Sequence, residues 1–200
     1  MPLVQEWWNM RKEENDVPGD DDTLVDKVTG KFVNPERAIK YFTECIELMP
    51  GRVNTFALRG VAYYELGQYE QAISDFDEAI PQKAGLITTC YFHRGLAYLK
   101  LGKNLGAIED FNELIRLKPD DAQNYYNRGI AYNGLGQHLR AIENFNEAIH
   151  LKPDYVNAYI NRGMNHFIIG SIELGCQDAQ KACELGDCIL IEWAQLKGYA

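Results

Sequence analysis

From residue 35 onward, apolar residues recur three and four positions apart in short runs, the spacing of amphipathic helices. Between Asn124 and Leu135 the apolar positions are Tyr125, Ile130 and Ala131, and Gly136 predicts the stop. Between Leu139 and Leu151 they are Ala141, Ile142, Phe145, Ala148 and Ile149, and Pro153 prevents continuation. This pair of helices is repeated along the chain. Arg-Gly occurs at Arg59-Gly60, Arg94-Gly95, Arg128-Gly129 and Arg162-Gly163. Gly95 to Gly129 is 34 residues, Gly129 to Gly163 is again 34, and Gly60 to Gly95 is 35. The extra residue falls near Pro81 to Gly85.

The rest of the pattern keeps the same step. Tyr63, Tyr98 and Tyr132 recur, replaced by His166 in the last unit. A second glycine follows at Gly67, Gly102, Gly136 and Gly170. In the second helices Ala72, Ala107 and Ala141 give way to Gly175, and Phe76, Phe111 and Phe145 to Ala179. Glycine inside a helix costs about 1 kcal/mol relative to alanine. Its repetition predicts a close helix crossing, with Gly129 against Ala141 and the bulk of Tyr132 and Phe145 above and below. Each arginine has a polar residue 16 positions on: Asp75, Asp110, Asn144 and Asp178. The spacing predicts a bond from each first helix to the second helix of its own unit.

This pattern resembles the tetratricopeptide repeat family in period, small-residue positions, central aromatic and closing proline. The resemblance implies an all-α, right-handed α-solenoid of helix-turn-helix repeats. Three repeats are clear (53–87, 88–121, 122–155), one is degenerate (156–189) and one is partial at the N-terminus (35–52). Pro35 to Pro50 reads as a lone second helix, whose partner is placed around Leu3 to Glu14 beyond an acidic, poorly periodic loop within 1–34. Residues 190–200 read as a capping helix that turns Ile189, Leu190, Trp193 and Leu196 onto the end of the stack.

The resemblance also implies that the first helices line a concave groove holding a peptide or a helix of another protein. The groove positions are Asn54, Ala57, Leu58, Val61 and Tyr64 in the first full unit. They are Thr89, Phe92, His93, Leu96 and Leu99 in the second, and Gln123, Tyr126, Asn127, Ile130 and Asn133 in the third. In the fourth they are Asn157, Ile160, Asn161, Met164 and Phe167. Asn127 and Asn161, one period apart, suit the backbone of an extended peptide, since an amide both donates and accepts. They are equally readable as surface polar residues. Tyr126, Asn127 and Asn161 are expected to be dispensable for the fold. The groove lacks the cations with which some family members hold a partner's terminal carboxylate.

Composition narrows the function. A formal net charge of −9 without a basic stripe argues against direct nucleic-acid binding. No apolar run is long enough to span a membrane and the first residues lack a secretory signal pattern, so the chain reads as cytoplasmic. Cys45, Cys90, Cys176, Cys183 and Cys188 lack zinc-ligand spacing and read as reduced, small apolar residues. No phosphate loop, nucleophile elbow or metal motif appears, so no enzyme, metal or cofactor is expected. Asp20 to Asp22 reads as a solvated acidic run. His166 reads as a buried, bonded core residue. The reading is a protein-binding adaptor. The alternative is a homo-oligomeric module assembled through Trp7 and Trp8, which otherwise cap their own chain.

Overall fold

The computed structural model describes residues 24, 31–49, 51, 53–82 and 85–199. The expected helix near Leu3, the Trp7-Trp8 pair and the acidic run at Asp20 lie outside the described residues. Ten helices are present among those described: α1 (Pro35–Leu48), α2 (Val53–Glu65), α3 (Tyr69–Ala79), α4 (Ile87–Lys100), α5 (Asn104–Leu117), α6 (Ala122–Gly134), α7 (His138–Leu151), α8 (Val156–Ile168), α9 (Ile172–Glu184) and α10 (Ile189–Leu196). The chain divides into two compact units, 1–97 and 98–200, each described by itself. No helix among the described residues is long and apolar enough to cross a membrane.

Local sequence explains the helix ends. Asn34 caps α1 by accepting from the Arg37 N–H, and Asp121 caps α6 by accepting from that of Gln123. Gly67, Gly102, Gly136 and Gly170 end α2, α4, α6 and α8 with φ between +69° and +82°, a conformation other residues adopt only with strain.

In unit 1 the core gathers Phe42, Leu58, Val61, Phe76, Leu86 and Cys90. Leu24 and Phe32 belong to the same cluster. The acidic segment before α1, expected to be a loop, therefore supplies core side chains. The Phe32 ring meets Phe42 edge-on at 5.8 Å, the Val33 N–H donates to the Leu24 carbonyl (3.0 Å), and the Phe32 N–H donates to the Glu65 carboxylate (3.3 Å). Burial pushes the Glu65 carboxyl up, with the Phe32 N–H opposing.

The recurring small residues make a different contact from the one the spacing suggested. A Cβ on Gly129 would meet the Phe145 ring at 2.6 Å, and one on Gly60 would meet Phe76 at 2.8 Å. The glycine thus accommodates a ring from the paired helix, not the backbone beside Ala141. In the last pair the partners are exchanged. Gly175 on α9 faces the Phe167 ring on α8, and Gly163 faces Asp178, Leu190 and, at 3.2 Å, the Gly175 carbonyl, so that here the expected approach to the partner backbone is kept. Phe167 and the cap's Leu190 thereby replace the bulk that Ala179 lacks.

The cap itself is rotated from the expected phase. Leu190 and Ala194 are buried one turn apart, and Trp193 meets Phe167 at 5.3 Å. Ile189 and Leu196, expected to cover the stack, point outward. The helical period puts 190 and 194 on the inner side, so 189 and 196 cannot share it. A second correction concerns the cysteines. Cys183 and Cys188 form a disulfide across the turn between α9 and α10, while Cys45, Cys90 and Cys176 remain thiols.

Candidate interaction face

The repeated arginines hold the helix faces in place. Arg59 binds Asp75 through Nε and Nη2, both at 2.8 Å, and Arg162 binds Asp178 likewise at 2.9 and 2.6 Å. Arg128 reaches Asn144 at 2.7 Å. These are the predicted 16-residue pairs. The sequence reading missed that each arginine also reaches back to the preceding second helix. Arg59 Nη1 donates to Thr43, Arg94 Nη1 to Asp77, Arg128 Nη1 to Asn112 and Arg162 Nη1 to Asn146. One guanidinium, with five donors in a planar fork, serves two helices at once. The signal was present as a polar residue about 16 positions before each arginine. The side chain also lies over an aromatic ring three residues earlier, as Arg162 does over Tyr159 at 5.5 Å.

The charge balance follows the acceptor. The hydrogen bond to Asp75 holds the Arg59 guanidinium up, whereas burial opposite a neutral amide pushes that of Arg128 down. Burial also pushes the Asp75 carboxyl up, outweighing the lowering effect of Arg59.

In unit 2, α6 and α8 carry the candidate residues. Gly129 and Ala131 turn inward, while Tyr126, Ile130 and Asn133 are half-buried and Gln123 is exposed. On α8, Asn157 is exposed and Ile160, Asn161 and Met164 are half-buried. Phe167, also read as a groove position, is buried in the cap. Asn161 spends both amide protons inside the protein, on the Asn157 carbonyl (2.8 Å) and the Tyr126 hydroxyl (3.1 Å). What it offers a ligand is therefore its Oδ1. Asn127 is 7% exposed and its Nδ2 has no hydrogen-bond partner. The two asparagines thus differ: Asn161 has both donors bonded, while the Asn127 donor is sealed without a partner.

Tyr126, read as a groove position, packs inside the repeat. Its ring lies 4.8 Å from Tyr155 and 5.7 Å from Phe145, so it also braces the repeat, contrary to the expectation that it is dispensable. Burial raises both hydroxyls, that of Tyr155 to about 12 with help from Tyr126 and Asp121. Behind the face lies a pair not foreseen from the sequence, buried Asn165 and half-buried His138. Asn165 donates to the Asn161 carbonyl (2.7 Å) and accepts from His138 Nδ1 (2.8 Å). Asn165 stands one period after Ala131 and two after Ala97, and that polar substitution in an alanine column was the available signal.

Unit 1 is packed differently. Ala57, Leu58 and Val61, read as groove positions, are buried in the cluster that contains Leu24 and Phe32. Asn54, Thr89, Phe92 and Leu96 are half-buried. His93 lies among rings, 5.4 Å from Tyr64, 6.3 Å from Phe76 and 5.5 Å from Phe92, and its Nδ1–H donates to the Thr89 carbonyl at 3.0 Å. Burial pushes its pKa down. His166 is half-buried with Nδ1 unpartnered, so it is not the bonded histidine expected from its place in the pattern. No group of acidic, histidine or cysteine side chains able to hold a metal occurs among the described residues.

Family models match this architecture at three places. Tetratricopeptide repeat models match residues 53–80 and 122–155, and a TPR repeat model matches 95–136. The chain is a tetratricopeptide repeat protein. No curated protein sequence matches it. Among solved structures, MamA from Desulfovibrio magneticus RS-1 is similar at 24% identity with a TM-score of 0.72, over 76% of this chain and 85% of that one. YrrB, a TPR protein with an unusual peptide-binding site, is similar at 19% identity with a TM-score of 0.73, over 80% of this chain and 83% of that one. At these identities the likeness is one of fold, an all-α solenoid of tetratricopeptide helix pairs. The repeats support a role as a protein-interaction adaptor.

Proposed function

We propose that this tetratricopeptide repeat protein is a non-catalytic adaptor that holds a segment of another protein against α6 and α8. The observation that carries the reading is Asn161, whose amide protons are both bonded inside the protein and whose Oδ1 would accept from a ligand N–H. Asn127 Nδ2, one repeat away, is sealed without a partner, at a cost of about 1–3 kcal/mol, and would meet a ligand carbonyl only by turning outward. Ile130, Ile160 and Met164 supply apolar contact between them. These groups read main chain and small apolar side chains, which favours an extended, uncharged segment over a charged one. The peptide-binding site of YrrB, a relative in fold, is consistent with this use of the architecture. In unit 1, taken by itself, Asn54, Thr89, Phe92, His93 and Leu96 form a second candidate face, narrower in polar chemistry because the His93 Nδ1–H is spent on the Thr89 backbone carbonyl.

The test is selection of extended peptides from a random library on the immobilised full chain, followed by measured affinities for Asn127→Ala/Asn161→Ala. Tyr126 is left in place because it supports the repeat. Binding should weaken at least about tenfold, the value of one to two ligand hydrogen bonds, while the melting temperature moves little. Equal affinities for wild type and variant would refute the face. If the immobilised chain captures only itself, the homo-oligomeric reading through the segment bearing Trp7 and Trp8 replaces it.

A further inference from the structure

The cap and its cysteines carry an inference independent of the interaction face. Helix α10 has eight residues, too few to be stable alone in water. Its position depends on docking: Leu190 against Gly163, Ala194 in the core, and Trp193 against Phe167. The Cys183–Cys188 bond ties the last turn of α9 to the residue preceding α10. Between them lies Leu185-Gly186-Asp187, with Gly186 at φ +106°, a turn that once the bond is absent is held by backbone bonds alone, from the Gly186 N–H to the Cys183 carbonyl and from the Asp187 N–H to the Ala182 carbonyl, both 3.0 Å. The far end of the cap is held by a thiol: Cys176 Sγ donates to the Tyr199 carbonyl at 3.2 Å, and the Tyr199 ring stacks on Phe167 at 5.5 Å. Cys183 and Cys188 are half-buried at this turn, within reach of small thiols.

We propose that Cys183–Cys188 is a redox latch that sets how tightly α10 closes the end of the second unit. The reductant is a low-molecular-weight thiol. Its thiolate attacks one sulfur, the S–S bond breaks, and the other cysteine leaves as a thiolate and takes up a proton. A second thiol then attacks the mixed disulfide and leaves the first cysteine as a thiol. Two electrons pass to the pair and the reductant departs as its own disulfide. With the latch open, α10 retains only its apolar docking and the Cys176 contact. Excursions of the cap then uncover Phe167, Gly163 and Gly175, the surface on which a further helix would pack.

The experiment uses the full chain, purified without reductant. Thiol titration in denaturant should find three free cysteines, the remaining pair being bonded; five would overturn the proposal. Amide hydrogen exchange is then followed with and without tris(2-carboxyethyl)phosphine. Residues 189–199 should exchange faster on reduction, roughly tenfold or more given the stabilisation a short disulfide loop supplies. Helices α6 and α7 should not change. Cys183→Ser/Cys188→Ser should behave as the reduced protein and ignore reductant, while Cys176→Ser should still respond. If the disulfide is reduced and exchange at 189–199 stays the same, the latch does not exist.

Discussion

Consider the substitution Gly129→Ala. On propensity alone it should stabilise α6 by about 1 kcal/mol, because alanine is the best helix former and glycine among the worst. The structure reverses the sign. The new Cβ would sit 2.6, 2.9 and 3.0 Å from three carbons of the Phe145 ring, where ordinary contact begins near 3.4 Å. The ring must retreat by most of an ångström, and Phe145 has no exposed surface through which to do so. Overpacking of this kind costs about 1–3 kcal/mol, and with three ring atoms involved the upper half of that range applies. After the propensity gain, the net loss is about 1–2 kcal/mol, or a melting temperature lower by about 2–8 °C for a chain of this length. Gly134→Ala is the internal control. The three atoms nearest its Cβ all belong to the side chain of Asn104, which is half-buried and can swing aside, so stability should change by less than about 0.5 kcal/mol. Thermal and urea unfolding of both variants measure this. The double variant Gly129→Ala/Phe145→Leu should be more stable than the sum of the single changes by about 1 kcal/mol or more, as contacting residues couple. If Gly129→Ala melts at or above wild type, or the coupling vanishes, the ring does not need the glycine and the reasoning fails.

Other outcomes follow from the same geometry. Arg162→Leu strands the buried Asp178 carboxylate and should cost about 3–5 kcal/mol, whereas Arg128→Leu leaves only the neutral amides of Asn144 and Asn112 and should cost about 1–2 kcal/mol; comparison of urea midpoints separates them. His93 and His166 are both pushed below the usual histidine pKa by burial, so the unfolded chain binds protons more readily than the folded one. Stability should therefore fall as pH drops through about 6.5, and His93→Gln should flatten the slope of melting temperature between about pH 7.5 and 5.5. Asp75, with its carboxyl pushed up, acts in the opposite sense near the carboxylate range and leaves that window separate. Leu190→Ala should expose Gly163 and Phe167 and cost about 2–5 kcal/mol, read as a lower melting temperature with faster exchange confined to α8–α10.

The helix pairs were legible because burial imposes one periodicity on each helix and the repeat imposes a second along the chain. Agreement between Gly95, Gly129 and Gly163 on a 34-residue step overrides the ambiguity of any single helix. Turn glycines were legible for the same reason, since positive φ leaves little choice of residue. The contacts between elements were less so. Gly129 announced a close approach but not which group approached, because spacing along a chain does not say whether a ring or a backbone fills the gap. Leu24 and Phe32 enter the core from a segment without period, so no pattern could reveal them. On the interaction face, helical phase placed Tyr126, Ile130 and Asn161 on one side. It could not show that Tyr126 braces Phe145, nor that Asn161 has spent both its donors. Cys183 and Cys188 meet because a turn reverses the chain between them, a proximity that counting ligands by zinc spacing does not detect.

The arginine at each repeat makes neighbouring repeats depend on one another for the solvation of a charge. Stability in a repeat array is a sum of unit terms and nearest-neighbour terms, and here part of the neighbour term is polar and directional. Across the repeat boundaries the acceptors are Thr43 for Arg59, Asp77 for Arg94, and the amides of Asn112 and Asn146 for Arg128 and Arg162. The missing carboxylate lies inside a repeat, where Asn144 receives Arg128 while Asp178 receives Arg162. Under mechanical load or partial denaturation, α6 should therefore part from α7 more readily than α8 parts from α9, so that the protein yields within the pair that lacks a carboxylate.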